Sequence, residues 1–177
     1  MVSVIVGIDP GLTGALSRFE AGRLADIRDM PSIVTEKASK GGRLADLIGG
    51  SKTHKHRDID KPGLAALLRE WVGNYSAVIM REKVHTMPRQ GIVSAGRFME
   101  VVGIIDGVAA ALSIPVETVD PQTWQRATSS PADDKGVCAR ATEMFPSWAS
   151  HFKHHTVHHN RADAAMIGWY GVRYAQL

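Results

Sequence analysis

Hydrophobic positions along the chain follow two rhythms. Short β-branched blocks occur at Ser3–Ile8, Ala77–Met80 and Pro115–Val119. They end in Asp9-Pro10-Gly11, Arg81-Glu82-Lys83 and Asp120-Pro121. Uninterrupted apolar runs of this length predict strands buried on both faces. Gly14–Phe19 predicts a strand that returns after the first turn. Arg23–Met30 alternates through Leu24, Ile27 and Met30 until Pro31 stops it, which predicts a third strand. The helical rhythm is clearest where Phe98, Val101, Ile105, Val108 and Leu112 step by 3, 4, 3 and 4 within Ser94–Leu112. Val102, Ile104 and Ala109 widen that apolar band. A second surface of this helix therefore needs covering, by the sheet or by another subunit.

Caps and breakers set the other boundaries. Asp60–Val72 reads as a helix capped by Asp60, with Pro62 in its first turn. Asp133 or Asp134 caps a helix running through Phe145 and stopped by Pro146. A His-rich loop follows, then a last helix from about Asn160 to Tyr174. Trp124 falls in a turn or short helix and reads as a core or hinge residue. Residues 32–59 carry Gly41-Gly42, Gly49-Gly50 and many charges without a sustained period, so they read as a long mobile loop. No repeat or linker divides the chain. Residues 1–177 are expected to form one α/β domain.

Composition narrows the class. The chain has 177 residues, 44% hydrophobic and 22% charged, which excludes a mainly disordered or fibrous protein. No stretch approaches the roughly 20 apolar residues of a membrane-spanning helix. The N-terminus lacks the basic leader of a secretory signal. Cys138 is the single cysteine, which excludes an internal disulfide and fits a reducing, cytoplasmic setting. The net charge is only +3, but its distribution is uneven. Lys37, Lys40, Arg43, Lys52, Lys55, Arg57 and Lys61 crowd into residues 36–61 with His54 and His56. Such a patch suits a polyanionic partner, or is simply a solvated face. Its Lys- and Gly-rich makeup, without an aromatic residue, suits DNA backbone and not base edges. Five of the eight histidines lie between His151 and His159. With one cysteine and no Cys-x-x-Cys, they suggest a protonatable DNA-facing loop before a structural zinc site.

Three acids stand where chemistry is expected. Asp9 ends the first strand, Glu82 ends the strand after the first helix, and Asp163 lies in the first turn of the last predicted helix. In open α/β sheets the carboxyl ends of neighbouring strands form the natural crevice for a site. Oxygen ligands there suit Mg²⁺ or Mn²⁺, and a pair of such ions hydrolyses phosphodiesters. Each acid also has an ordinary structural reading. Asp9 is suited to initiate a turn, Glu82 to pair with Arg81 or Lys83, and Asp163 to favour a helix N-terminus.

These residues resemble a known family. "IVGIDPGLTGAL" (5–16) resembles the first strand of RuvC-like Holliday junction resolvases, members of the RNase H-like superfamily. "AVIMREKVHTMPRQGIVSAGRFMEVVGIIDGVAAAL" (77–112) is similar to that family's second catalytic block. "PVETVDPQTWQ" (115–125) resembles its Pro-Gln-x-Trp segment, and "DDKGVCARATEMFP" (133–146) its Lys-containing helix. "HHNRADAAMIGWYG" (158–171) resembles the C-terminal acidic motif in a form closest to bacteriophage members.

The resemblance implies a mixed five-stranded RNase H-like sheet flanked by helices. It implies a homodimeric endonuclease acting on branched DNA, above all four-way junctions, with no membrane partner. Asp9, Glu82 and Asp163 are then metal-binding catalytic acids, with two Mg²⁺ or Mn²⁺ ions per site. The family's fourth ligand lies three or four residues before the last acid, where this chain has Asn160 and His159. Both spacings share a helix face; four favours His159, with Asn160 the alternative. Lys135 matches a basic family position. Lys83, His85, Arg89 and Gln90 fall in a loop with which relatives contact the junction. Where many relatives carry a wedging aromatic, this chain has His85 and Met87. The rival readings are a less selective branched-DNA or genome-degrading nuclease, and a DNA-binding protein on a dead nuclease fold. An actin-like ATPase is excluded, because it needs two such domains.

Overall fold

The structure is a computed structural model and describes residues 3–38, 53–84 and 91–174. Three strands open the chain: β1 (Val4–Asp9), β2 (Ala15–Glu20) and β3 (Arg23–Asp29). Next come β4 (Ser32–Ala38), β5 (Thr53–Ile59), α1 (Lys61–Val72), β6 (Ala77–Glu82) and α2 (Ile92–Ala111). The remainder is β7 (Val116–Val119), α3 (Pro121–Thr128), α4 (Asp134–Met144), a 3₁₀ turn (Pro146–His151) and α5 (His155–Tyr174).

One mixed sheet runs in the order β3-β2-β1-β6-β7. The first three strands are antiparallel neighbours, whereas β1–β6 and β6–β7 are parallel. The expected five-stranded mixed sheet with flanking helices is therefore what forms. Each face carries its own core. Val4, Val6, Ile8, Leu16 and Ile79 pack under Leu64, Leu68 and Trp71 of α1 and Val101, Ile105 and Ala109 of α2. Phe19, Met80 and Val119 pack under Trp124 of α3, Val137, Cys138 and Ala141 of α4, and Ala162, Ala165 and Met166 of α5. The apolar blocks of β1 and β6 are continuous because both faces of these strands are covered, whereas β7, at the sheet edge, leaves Glu117 and Thr118 exposed and is not the fully buried strand expected there.

Successive side chains on a strand point to opposite faces, and that parity places the acids. On β1, Val4, Val6 and Ile8 face α1 and α2, so Gly7 and Asp9 face α5. On β6, Met80 belongs to the α5 face, and so does Glu82 two residues on. The parallel register pairs Gly7 with Met80 and Ile8 with Arg81, so its next step sets Asp9 beside Glu82. Helix α5 lies almost on the β1 backbone. A Cβ on Gly7 would stand 2.3 Å from the Ala164 carbonyl oxygen, and one on Gly168 would stand 2.7 Å from the Phe19 ring and Ser17 Oγ. The buried Ser17 hydroxyl donates to the Ala164 carbonyl at 2.7 Å, locking β2 to the same helix.

Three further expectations are corrected. The loop expected over 32–59 is strand at both ends, where β4 and β5 pair antiparallel in a two-stranded sheet from Ser32↔Ile59 to Ala38↔Thr53. Most of its described side chains, including Val34, Lys55 and Arg57, are not buried, so no apolar period marked it. The His-rich segment is not a loop, because the 3₁₀ turn takes His151 and α5 starts at His155. Asp163 is consequently the ninth residue of α5 and not in its first turn, so it is no dipole-stabilising terminal charge. The predicted caps do form, with Asp60 accepting from the Gly63 amide at 3.0 Å and Asp133 from the Gly136 amide at 2.9 Å.

Candidate active site

Asp9, Glu82 and Asp163 converge at the carboxyl ends of β1 and β6, beneath α5. All three are half-buried. Their charges act on one another. Burial first, then Asp163 and Glu82, hold the Asp9 carboxyl well above the ordinary carboxylate range. Burial, then Glu82 and Asp134, push Asp163 up to about 7. Burial also raises Glu82, opposed by the Trp124 indole N–H, which donates to Oε1 at 2.9 Å.

Cations nearby in sequence are engaged elsewhere. The buried Arg81 guanidinium forks onto Asp106 of α2, with Nε and Nη2 at 3.1 and 3.0 Å, and Nη1 donates to the Glu82 carbonyl at 2.9 Å. Parity explains this, since Arg81 faces α2 while Glu82 faces α5. Lys83 Nζ lies 3.9 Å from Asp120. Arg161 of α5 forks onto Asp29 of β3 at 2.5 and 2.6 Å. The pairing of Glu82 with Arg81 or Lys83 that its neighbours suggested is thus not what these side chains do. The result is an acidic cluster whose like charges are crowded together, an arrangement a divalent cation relieves.

The chemistry of this donor set fits Mg²⁺ or Mn²⁺, since every acidic donor is an oxygen. Among the described residues no three carboxylate, imidazole or thiol groups are gathered closely enough to enclose an ion by themselves. Mg²⁺ is commonly bound through one or two carboxylates together with substrate phosphates.

His159 and Asn160 bond to different backbone carbonyls. His159 Nδ1 is 2.9 Å from the His155 carbonyl, so Nδ1 is the ring nitrogen turned to the helix backbone and Nε2 the one turned away from it. Asp134 Oδ2 is 3.8 Å from the same Nδ1. Asn160 instead donates its amide to the Thr13 carbonyl at 2.6 Å, tying α5 to the β1–β2 turn. A cavity of about 480 Å³ runs between that turn and the start of α5, and His159, Asn160 and Arg57 of β5 share its wall. A second cavity, about 680 Å³, is lined by Glu82, Lys83, Phe98 and Gln122. Lys135 is exposed beside Asp134 at the start of α4, and Lys55 is exposed on β5. His85, Arg89, Gln90 and Lys52 lie outside the described residues.

Two participants escaped sequence reasoning. Asp134 reads in sequence only as a helix cap, yet its charge reaches Asp163. Trp124 reads as a core residue and is one, but its polar atom meets Glu82. Only the tertiary contact between α3, α4 and α5 reveals either role. Burial and then Arg161 push His151 and His158 down. Cys138 is buried under the site. Burial, Asp163 and Asp134 push its thiol up to about 11, which keeps it un-ionised.

No family model and no curated protein sequence matches the chain. Solved structures do. RuvC of T. thermophilus in complex with Holliday junction substrate superposes with a TM-score of 0.56 at 19% identity, over 94% of this chain and 90% of that one. A second Thermus thermophilus RuvC structure gives 0.53 at 13%, over 95% of each chain. The fowlpox virus Holliday junction resolvase gives 0.50 at 14%, over 93% of this chain and 94% of that one. The fold is therefore RuvC-like, of the RNase H-like class.

Proposed function

We propose that this protein is a metal-dependent endonuclease that cleaves branched DNA, resolving four-way junctions by paired symmetric nicks. The observation that carries the reading is the convergence of Asp9, Glu82 and Asp163 at the strand ends of a RuvC-like fold, with neighbouring cations engaged elsewhere. Asp9, Glu82 and Asp163 would hold two Mg²⁺ or Mn²⁺ ions, with His159 through Nε2 as fourth ligand and Asn160 Oδ1 as the alternative. When bound, such ions activate water and stabilise the leaving oxygen of a phosphodiester. Lys83 and Lys135 would meet phosphates, and the family resemblance gives the same role to His85, Arg89 and Gln90, which lie outside the described residues. The basic β4–β5 arm would track the DNA backbone through Lys55 and Arg57, on the side where Arg57 and His159 share a cavity, and Lys52, outside the described residues, is proposed to act with them. The acidic C-terminal motif resembles the bacteriophage form, which supports a role in a bacterial or phage-infected cytoplasm. Among the described residues no helix is long and apolar enough to cross a membrane.

The assembly proposed is a homodimer through α2. Ile92 and Val93 are 91% and 77% exposed there. Met99 and Ala110 are exposed too, and Gly96, Gly103 and Gly107 have open space where a Cβ would lie. This apolar, small-residue face fits a second copy, and a two-fold dimer matches the symmetry of a four-way junction. Sedimentation at micromolar concentration should show the dimer.

The deciding experiment incubates the protein with four-way-junction and linear DNA, with and without Mg²⁺. Paired nicks across the branch point, seen only with metal, are the expected result. Asp9→Asn should lower the rate at least about 100-fold while leaving junction binding intact. Near-wild-type cutting by Asp9→Asn refutes the site assignment, and equal cutting of linear DNA refutes the junction selectivity.

A further inference from the structure

We infer that Trp124 is a positioning residue for Glu82, its indole N–H pinning one carboxylate oxygen so that the other is presented to the metal. This rests on the reading of Glu82 as a metal ligand.

Trp124 is 1% exposed, and its single polar atom is satisfied by Glu82 Oε1 at 2.9 Å. An indole N–H can only donate. A buried indole therefore needs an acceptor, and here that acceptor is a functional side chain and not a backbone carbonyl. With Oε1 engaged, the carboxylate rotor is fixed and Oε2 is left over.

The support for the indole is itself built in. Helix α3 begins at Pro121 directly after β7, so it starts beside the end of β6. Two buried hydroxyls then hold its C-terminal end. Thr128 Oγ1 is 2.8 Å from the Trp124 carbonyl and 2.9 Å from Ser130 Oγ, and Arg140 Nε of α4 donates to the Thr128 carbonyl at 3.0 Å. The ring is packed among Met80, Val119, Val137 and Cys138. From the backbone side, Arg81 Nη1 holds the Glu82 carbonyl. Glu82 is thus fixed at both main chain and side chain, as expected of ligands whose outer hydrogen bonds set their orientation.

The test reads the indole directly in DNA-free protein. The chain has four tryptophans, hence four indole N–H cross-peaks in a ¹⁵N–¹H spectrum. Trp124→Phe identifies the Trp124 peak by deletion, and Glu82→Ala should displace that peak alone. Titrating wild type with Mg²⁺ should move the same peak along the calorimetric binding curve. Trp124→Phe should weaken Mg²⁺ affinity about tenfold. In a cutting assay it should lower kcat with little change in KM for the junction, a split that a loss of packing alone does not produce. If Trp124→Phe does not fold, displacement in Glu82→Ala assigns the peak and the wild-type titration decides. Mg²⁺ binding that leaves the Trp124 peak unmoved, or Glu82→Ala displacing none of the four peaks, overturns the inference while sparing the metal site. Absence of calorimetric Mg²⁺ binding to wild type, with or without a cleavage-resistant junction, overturns the metal-site reading and the inference with it.

Discussion

Asp163→Asn, studied without metal, isolates the electrostatic strain in the acidic cluster. The Asp163 carboxyl stands at about 7 against an ordinary 3.8. A raised folded-state value means that the native protein binds a proton the unfolded chain has released. Between those two pH values stability therefore falls as pH rises, and above about 7 the whole penalty is in force. Three pKa units at 1.36 kcal/mol each set a ceiling of about 4 kcal/mol. Asp163 is only partly buried, so water screens some of this and about 2–4 kcal/mol is expected. For a chain of this length that is a melting shift of roughly 5–10 °C. The assay is thermal unfolding of wild type and Asp163→Asn in EDTA from pH 4 to pH 8. The two should melt together near pH 4, and the variant should be the more stable at pH 8. Adding Mg²⁺ at pH 8 should raise wild type far more than the variant, because only the native charged site gains a ligand. A difference that does not change with pH, or a variant less stable than wild type at pH 8, would refute the account of the cluster.

Gly7→Ala should destabilise by about 3 kcal/mol or more in urea unfolding, because its Cβ meets helix backbone that cannot give way. A loss below about 1 kcal/mol would show that α5 can lift off β1. Neutralising Lys55 and Arg57 together should flatten the log–log salt dependence of junction binding by about 2. An unchanged slope would place the arm away from DNA. His159→Ala should lower the Mg²⁺-supported cutting rate by about tenfold or more while Asn160→Ala stays mild. The reverse result moves the fourth ligand to three residues before Asp163.

Much of the fold was legible because it rests on local regularities. Uninterrupted apolar blocks marked β1 and β6, a Pro-bounded Val/Thr block marked β7, a 3-4 step marked α2, and Asp60 and Asp133 marked helix starts. The three acids were legible for the same reason, since strand ends and helix residues can be located from pattern alone. The β4–β5 arm was not, because its exposed and charged faces leave no period and its pairing comes from the partner strand. Helix α5 began five residues earlier than expected, its first turn hidden in histidines that carry no apolar signal. Proximity was beyond the sequence altogether. That Asp9 and Glu82 share a face follows from strand parity plus a register only the assembled sheet sets. That Asp163 meets them depends on two glycines, Gly7 and Gly168, letting a helix rest on backbone. That Glu82 is met by Trp124 while Arg81 turns to Asp106 is decided by which layer covers each face. Hydrophobic pattern is a property of short stretches of chain and can be read there. Hydrogen bonds between residues 42 positions apart, such as that from Trp124 to Glu82, exist only once the layers have packed.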